Sequence, residues 1–271
     1  MKNKYIPYNL ISNSMCAGEN VRNIKLTIEY DGTNYMGWQI QKHGKTIQGT
    51  IKEALEKILH HDVNLKGASR TDAGVHALGQ VATFKTVKEI PLFKIQRALN
   101  GLLPPDIKVI SAEEVPENFD PRKDAKGKTY LYRIFNRPVA SPFEYKRSWF
   151  IPQKLDVRIL KNSLSFFKGT HDFTTFSKLS KDEDKNPVRT IDEIVVSRNE
   201  HTIEIRITGR SFLRHMIRVI VATAVEAATG KLAPDEIPDM FRAKNRQVAP
   251  FLAPPEGLYL IKIYYESYPS L

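Results

Sequence analysis

Residues 66–84, KGASRTDAGVHALGQVATF, place a polar bend between two segments of strand-like composition. Arg70, Thr71, Asp72, Ala73, Gly74, Val75 and His76 suit neither helix nor strand. A charged bend between segments that call for burial is the usual arrangement of a site carried on a rigid scaffold. Asp72 is the only acidic residue from Lys66 to Val87, so a local pair of carboxylates of the glycosidase kind has no support. As an Asp beside a Gly, Asp72 also suits a turn that bonds its own backbone. Arg70, two residues earlier, is close enough in a bent loop to reach the same ligand. His76 is four residues beyond Asp72 but separated from it by Gly74, so it is expected to pack or hydrogen-bond rather than act as a base.

Outward from this stretch the pattern alternates between strands and helices. Ile24, Leu26, Ile28 and Tyr30 interleave with Lys25, Thr27 and Glu29, the period of a strand with one buried face. TIQGTIKEALEKILHH, from Thr46, predicts a helix with Thr46 as N-cap. PLFKIQRALNGLLPPD predicts a second helix, stopped by Pro104 and Pro105, and DIKVISAEEV a strand. Beyond residue 122 the style repeats. KTYLYRIFN is a strand, LDVRILKNSLSFFKG a helix closed by Gly169, and TIDEIVVS with HTIEIRITG a hairpin. SFLRHMIRVIVATAVEAATG predicts a long helix from Ser211 capped by Gly230. A short helix near PDEIPDMFRAK and a strand in GLYLIKIYYE end the chain.

The expected fold class is α+β: two ferredoxin-like subdomains sharing a continuous, mainly antiparallel sheet, with helices on one side and a central cleft. The expected division is a tail over 1–22, an N-terminal subdomain over 23–122 and a C-terminal subdomain over 123–271. PENFDPRKDAKGK, rich in Pro, Gly and charge, holds the boundary.

The chain has 271 residues, 41% of them hydrophobic, enough for a substantial core. Its 41 Lys and Arg against 30 Asp and Glu give a formal charge of +11, which favours a polyanionic partner, nucleic acid first. Cys16 is the single cysteine, which excludes an intrachain disulfide and a cysteine metal cluster. The seven histidines show no metal-ligand spacing, so no zinc is expected. Without a spanning apolar run or a signal-peptide pattern, the protein is expected to be soluble and cytoplasmic.

Two further groups could carry chemistry. In the helix predicted from Ser211, Arg210, Arg214 and Arg218 recur every four residues among otherwise apolar faces. A guanidinium buried without a partner costs several kcal/mol, so at least one should meet a carboxylate or phosphate, and Arg218, a turn deeper, most of all. Tyr130 and Tyr132 share a strand face beside Lys126, Lys128 and Arg133, where rings could stack a nucleobase while cations hold phosphates. A non-catalytic RNA-binding protein, or a hydrolase using Asp72 and His76, would draw on the same residues.

EYDGTNYMGWQ, SRTDAGVHALGQV, KTYLYRIFN, HDFTTFS followed by NPVRTI, SFLRHMIRVIV and EGLYL stand in one order between Asn23 and Tyr265. Together they resemble the tRNA pseudouridine synthases of the TruA type. The resemblance implies that Asp72 is the catalytic aspartate, Arg70 the arginine that enters the space left by a flipped nucleotide, and Arg218 the partner of the aspartate. It implies that Tyr130 packs against the target base and is a candidate for the proton-transfer step, and that Leu258 lines the pocket; Arg214, from the helix arginines above, is expected among the substrate-binding residues. It further implies a homodimer acting on the anticodon stem and loop of tRNA, without metal or other cofactor. Ser69 stands where the family usually has Gly, which would strain the loop if that position needs a positive φ.

Overall fold

A computed structural model of the chain describes residues 20–178 and 186–266. Most of the expected N-terminal tail, Cys16 and the centre of the charged run after Ser177 lie outside these residues. In chain order the elements are β1 (Arg22–Tyr30), α1 (Ile47–Leu59), β2 (Lys66–Gly67), β3 (His76–Thr86), α2 (Leu92–Leu102), β4 (Ile107–Val115) and β5 (Gly127–Asn136). Then follow β6 (Trp149–Ile151), α3 (Val157–Ser165), β7 (Gly169–Asp172), β8 (Val188–Asn199), β9 (Thr202–Gly209), α4 (Met216–Ala228), α5 (Ile237–Ala243) and β10 (Leu258–Tyr264).

The strands form one ten-stranded sheet in the order β4-β1-β3-β10-β5-β9-β8-β7, with β2 added to β3 and β6 to β5. All pairings are antiparallel except β10 with β3 and β6 with β5. The fold is therefore α+β with a continuous, mainly antiparallel sheet. Alternation explains which face is covered. Ile24, Leu26 and Ile28 on β1, Tyr130, Tyr132 and Ile134 on β5, and Ile203, Ile205 and Ile207 on β9 are buried in a single core with the apolar sides of α1 to α4. The intervening Lys25, Thr27, Glu29 and Arg206 lie half-buried or exposed on the other face.

The local signals act as their chemistry requires. The Thr46 hydroxyl accepts the Gly49 N–H at 3.2 Å and caps α1. Asp156 accepts the N–H groups of Arg158 and Ile159 and caps α3. Two expected spans are corrected. α3 ends at Ser165 rather than running on to Gly169, because Phe166 and Phe167 turn into the core ahead of β7. The last long helix begins at Met216 rather than Ser211. Phe212 and Leu213 are drawn inward from an irregular turn, and His215 takes a left-handed conformation at φ 66°, which a continuing helix cannot contain.

The position of β10 is decisive, since the last strand of the chain lies between β3 and β5 and joins the sheet across its middle. A bulge near Ile261 brings that residue's carbonyl against Gly79 of β3, where a Cβ would sit 2.2 Å from the oxygen. Gly79→Ala is therefore expected to lower the unfolding free energy by about 2 kcal/mol through overpacking against the backbone. Urea denaturation checks this, and a midpoint equal to wild type would show that the seam tolerates a methyl group.

Candidate active site

The loop between β2 and β3 is fixed from beneath by the segment after β1. Trp38 N–H donates to the Thr71 carbonyl at 3.0 Å, and the hydroxyls of Tyr30 and Thr71 meet at 2.8 Å. Gly37, at φ 90°, lies so close that a Cβ would stand 2.5 Å from the Thr71 carbonyl oxygen. A Cβ on Gly32 would stand 2.0 Å from the Val75 oxygen. Gly74 takes φ 77°, turning the chain sharply after Asp72. The glycines and aromatics of EYDGTNYMGWQ thus serve as the bed on which the Asp72 loop lies.

Asp72 emerges from this bed with its side chain a quarter exposed. Its Oδ2 is 3.1 Å from Nη1 of Arg218 and 3.5 Å from Nε2 of His215. Arg218 on α4 is 9% exposed and spends its Nε–H on the Ala253 carbonyl at 2.7 Å. The guanidinium is thereby partnered on two sides and aimed by the backbone that leads into β10. Burial, together with the cations Arg214, Arg218 and Lys178, holds His215 below the usual histidine range despite Asp72. At pH 7 it is a neutral neighbour of the carboxylate.

Asp72 and Arg218 lie in a cavity of about 960 Å³. Tyr130, Phe212 and Leu258 give it an apolar wall, the Tyr130 and Phe212 rings meeting edge-on with centroids 5.3 Å apart. The Tyr130 hydroxyl is 2.8 Å from the Ser69 Oγ, and burial pushes the phenol up to about 12. Arg70 and Arg214 are exposed and line the same cavity, as do Lys66, Arg122 and Lys128. Asp72, Arg70, Arg218, Tyr130, Leu258 and Arg214 are therefore brought together in space.

The common helical face expected for the three arginines does not exist. Arg210 and Arg214 precede α4, and Arg214 reaches the cavity from the turn, its carbonyl accepting the Lys178 N–H. His76 is buried at the start of β3, accepts the Gly32 N–H at Nδ1 and stacks on Tyr259. It does not line the cavity. Ser69 is free of the strain that a positive φ would impose. Its N–H donates to Gln80 Oε1, and Gln80 Nε2 donates back to its carbonyl at 2.7 Å. The roles of His215, Phe212 and Gln80 carry no signal in residue order, since each depends on a neighbour distant in the chain. Among the described residues, no group of three or more His, Cys, Asp or Glu is gathered as a metal would need, and no helix is long and apolar enough to cross a membrane.

A family model described as tRNA pseudouridine synthase matches residues 26–122 and 165–266. A tRNA pseudouridine synthase A of Ruminiclostridium cellulolyticum is 46% identical over 246 residues, covering 90% of this chain and all of that one. One from Aquifex aeolicus is 42% identical over 241 residues, covering 89% of this chain and 98% of that one. A solved H/ACA RNP bound to a substrate RNA containing 2′-deoxyuridine gives a TM-score of 0.34 at 13% identity, over 74% of this chain and 43% of that one.

The two cavity arginines differ in what they support. Arg218→Ala strands the Asp72 carboxylate and the Ala253 carbonyl and is expected to cost about 3 kcal/mol of stability, the low end for a buried pair because Asp72 still meets solvent. Arg214→Ala, at an exposed turn, is expected to stay within about 0.5 kcal/mol of wild type. Equal losses in chemical denaturation would contradict this division.

Proposed function

The chain belongs to the tRNA pseudouridine synthase family, and from that membership we propose a mechanism centred on Asp72. The reaction isomerises uridine in tRNA: the bond from ribose C1′ to uracil N1 breaks, the base turns, and C1′ is rejoined through C5. Mass is conserved and no net oxidation occurs, so the chemistry asks for no redox partner.

Asp72 supplies the carboxylate that drives cleavage of the glycosidic bond. The observation that carries this reading is the 3.1 Å contact between Asp72 and the buried Arg218 at the cavity floor. A guanidinium at that distance bonds the carboxylate and fixes the direction in which it points. Tyr130 and Leu258 hold the base between apolar surfaces. A base in a stem must leave its stack to reach them, at a cost of a few kcal/mol. Arg70, exposed beside the entrance, fills the gap and offsets part of that cost. Arg214 and the other cations of the rim hold the backbone phosphates.

The finer assignments rest chiefly on the family resemblance. The target uridines lie in the anticodon stem and loop, the protein works as a homodimer that holds one tRNA across both subunits, and it acts in the cytoplasm. The chain is divided near residue 122 into two subdomains, a division that agrees with a cavity lined from both sides of that boundary. Comparing pseudouridine maps of total RNA from cells with and without the gene tests the substrate, and loss confined to ribosomal RNA would overturn the tRNA anticodon reading.

Asp72→Asn keeps the size of the side chain but removes its charge. The variant is expected to bind tRNA and to release no tritium from tRNA labelled at uridine C5. Release at the wild-type rate would remove Asp72 from the mechanism.

A further inference from the structure

We propose that Ser69 and Lys128 form a proton relay behind Tyr130 that carries away the proton leaving uracil C5. The proposal rests on the synthase reading above and deepens it. Ser69 and Lys128 are positioning residues here, acting through the Tyr130 hydroxyl.

The geometry is a chain of contacts running along the cavity wall. The hydroxyls of Tyr130 and Ser69 are 2.8 Å apart, and Lys128 Nζ is 3.4 Å from the Ser69 Oγ. Lys128 Nζ also donates to the Ala68 carbonyl at 2.9 Å, which anchors the amine while leaving its other positions for Ser69. Gln80 clamps the Ser69 backbone on both sides, so the hydroxyl is held rather than mobile. Among the described residues Lys128 pairs with no carboxylate, unlike a lysine placed merely to pair a charge.

The chemistry creates the need. Once C5 has bonded to C1′ it still carries its hydrogen, and the C5–H bond must break, its electron pair restoring the ring double bond. Tyr130 lines the cavity beside Asp72 and Leu258, but its phenol is neutral near pH 7, and a neutral phenol oxygen can take a proton only by giving up its own. In the relay the C5 proton passes to Tyr130, the Tyr130 proton to Ser69, and the Ser69 proton to the Lys128 amine. The amine becomes ammonium and returns the proton to solvent before the next turnover. No oxidant, reductant or second substrate is required.

Lys128 suits the last position because burial, aided by the Arg122 cation, pushes its amine down to about 8. The charged groups sharing its cavity are Asp120 and Arg122 from the β4–β5 connection, Lys66, Arg70 and Asp72 around the β2–β3 loop, and Arg214, His215 and Arg218 at the start of α4. His215, held below the usual histidine range, has passed its own titration before the lysine begins.

The test measures single-turnover rates of wild type, Ser69→Ala and Lys128→Arg on a tRNA transcript across neutral to alkaline pH, with uridine carrying hydrogen or deuterium at C5. Wild type is expected to speed up as pH rises through about 8. Ser69→Ala interrupts the relay, and Lys128→Arg keeps the charge but cannot become a neutral amine. Both are expected to bind tRNA as wild type does, to lose the alkaline rise, to slow by about tenfold, a fraction of what acid–base groups contribute, and to show a larger deuterium effect. If either folded variant keeps the wild-type rise and deuterium effect, the hydroxyl and amine are structural and the relay is overturned. A wild-type protein that forms no pseudouridine would refute the synthase reading itself, a result distinct from normal turnover with an unaltered pH profile.

Discussion

A guanidinium buried in the second half of the chain finds its carboxylate in the first, and much of the structure follows from that requirement. Arg218 lies on a helix whose described neighbours are nearly all apolar, so its charge is tolerable only with partners on more than one side. It has two: Asp72 at 3.1 Å and the Ala253 carbonyl at 2.7 Å. The first belongs to the loop leading into β3, the second to the segment leading into β10. Satisfying one side chain therefore fixes three pieces of backbone relative to each other. β10 does the same through the sheet, hydrogen-bonding to β3 on one edge and β5 on the other.

Precision at Asp72 comes from close backbone contact more than from side-chain bonds. The loop lies against Gly32 and Gly37 at distances that leave no room for a Cβ, and Trp38 fills the space beneath Gly67. Interiors pack too densely for such contacts to yield without a shift elsewhere. A loop held this way can present a carboxylate in one direction although its own sequence is flexible. The Tyr30 to Thr71 bond and the Trp38 to Thr71 bond pin the residue just before the aspartate. A site needs this kind of support if its reacting groups are to be held in place before substrate arrives.

Most elements were legible in the residues, and the failures have a common cause. Alternation marks β1 and β9 because each has one face in the core, and Thr46 marks α1 because its hydroxyl caps the helix. Periodicity failed at Phe212, half-buried, and Leu213, buried, whose apolar character in an irregular turn extended the expected helix backwards by five residues. The burial argument for Arg218 succeeded because it used depth, which a helix makes visible, whereas the shared face of Arg210 and Arg214 depended on the helix start. The position of β10 between β3 and β5 has no local signal at all. Ser69 was legible as a residue but not as a contact, since its hydroxyl partners come from β5.

The same charge pair resolves an electrostatic conflict. The chain carries +11 overall, and the cations lining its cavity suit a polyanionic ligand, yet Asp72 lines the same cavity. An unpaired carboxylate there would oppose the approach of such a ligand. At 3.1 Å from Arg218 its charge is cancelled at the distance of the rim, because two opposite charges so close leave only a dipole. Near the floor the cancellation is incomplete, and a base brought against Tyr130 still meets a charged oxygen. His215 contributes by remaining neutral, since a second cation at 3.5 Å would bind the carboxylate more strongly and leave it less open to a ligand. Attraction at long range and an open carboxylate at short range are thus both served by the Arg218 guanidinium, provided that the imidazole beside the aspartate stays uncharged.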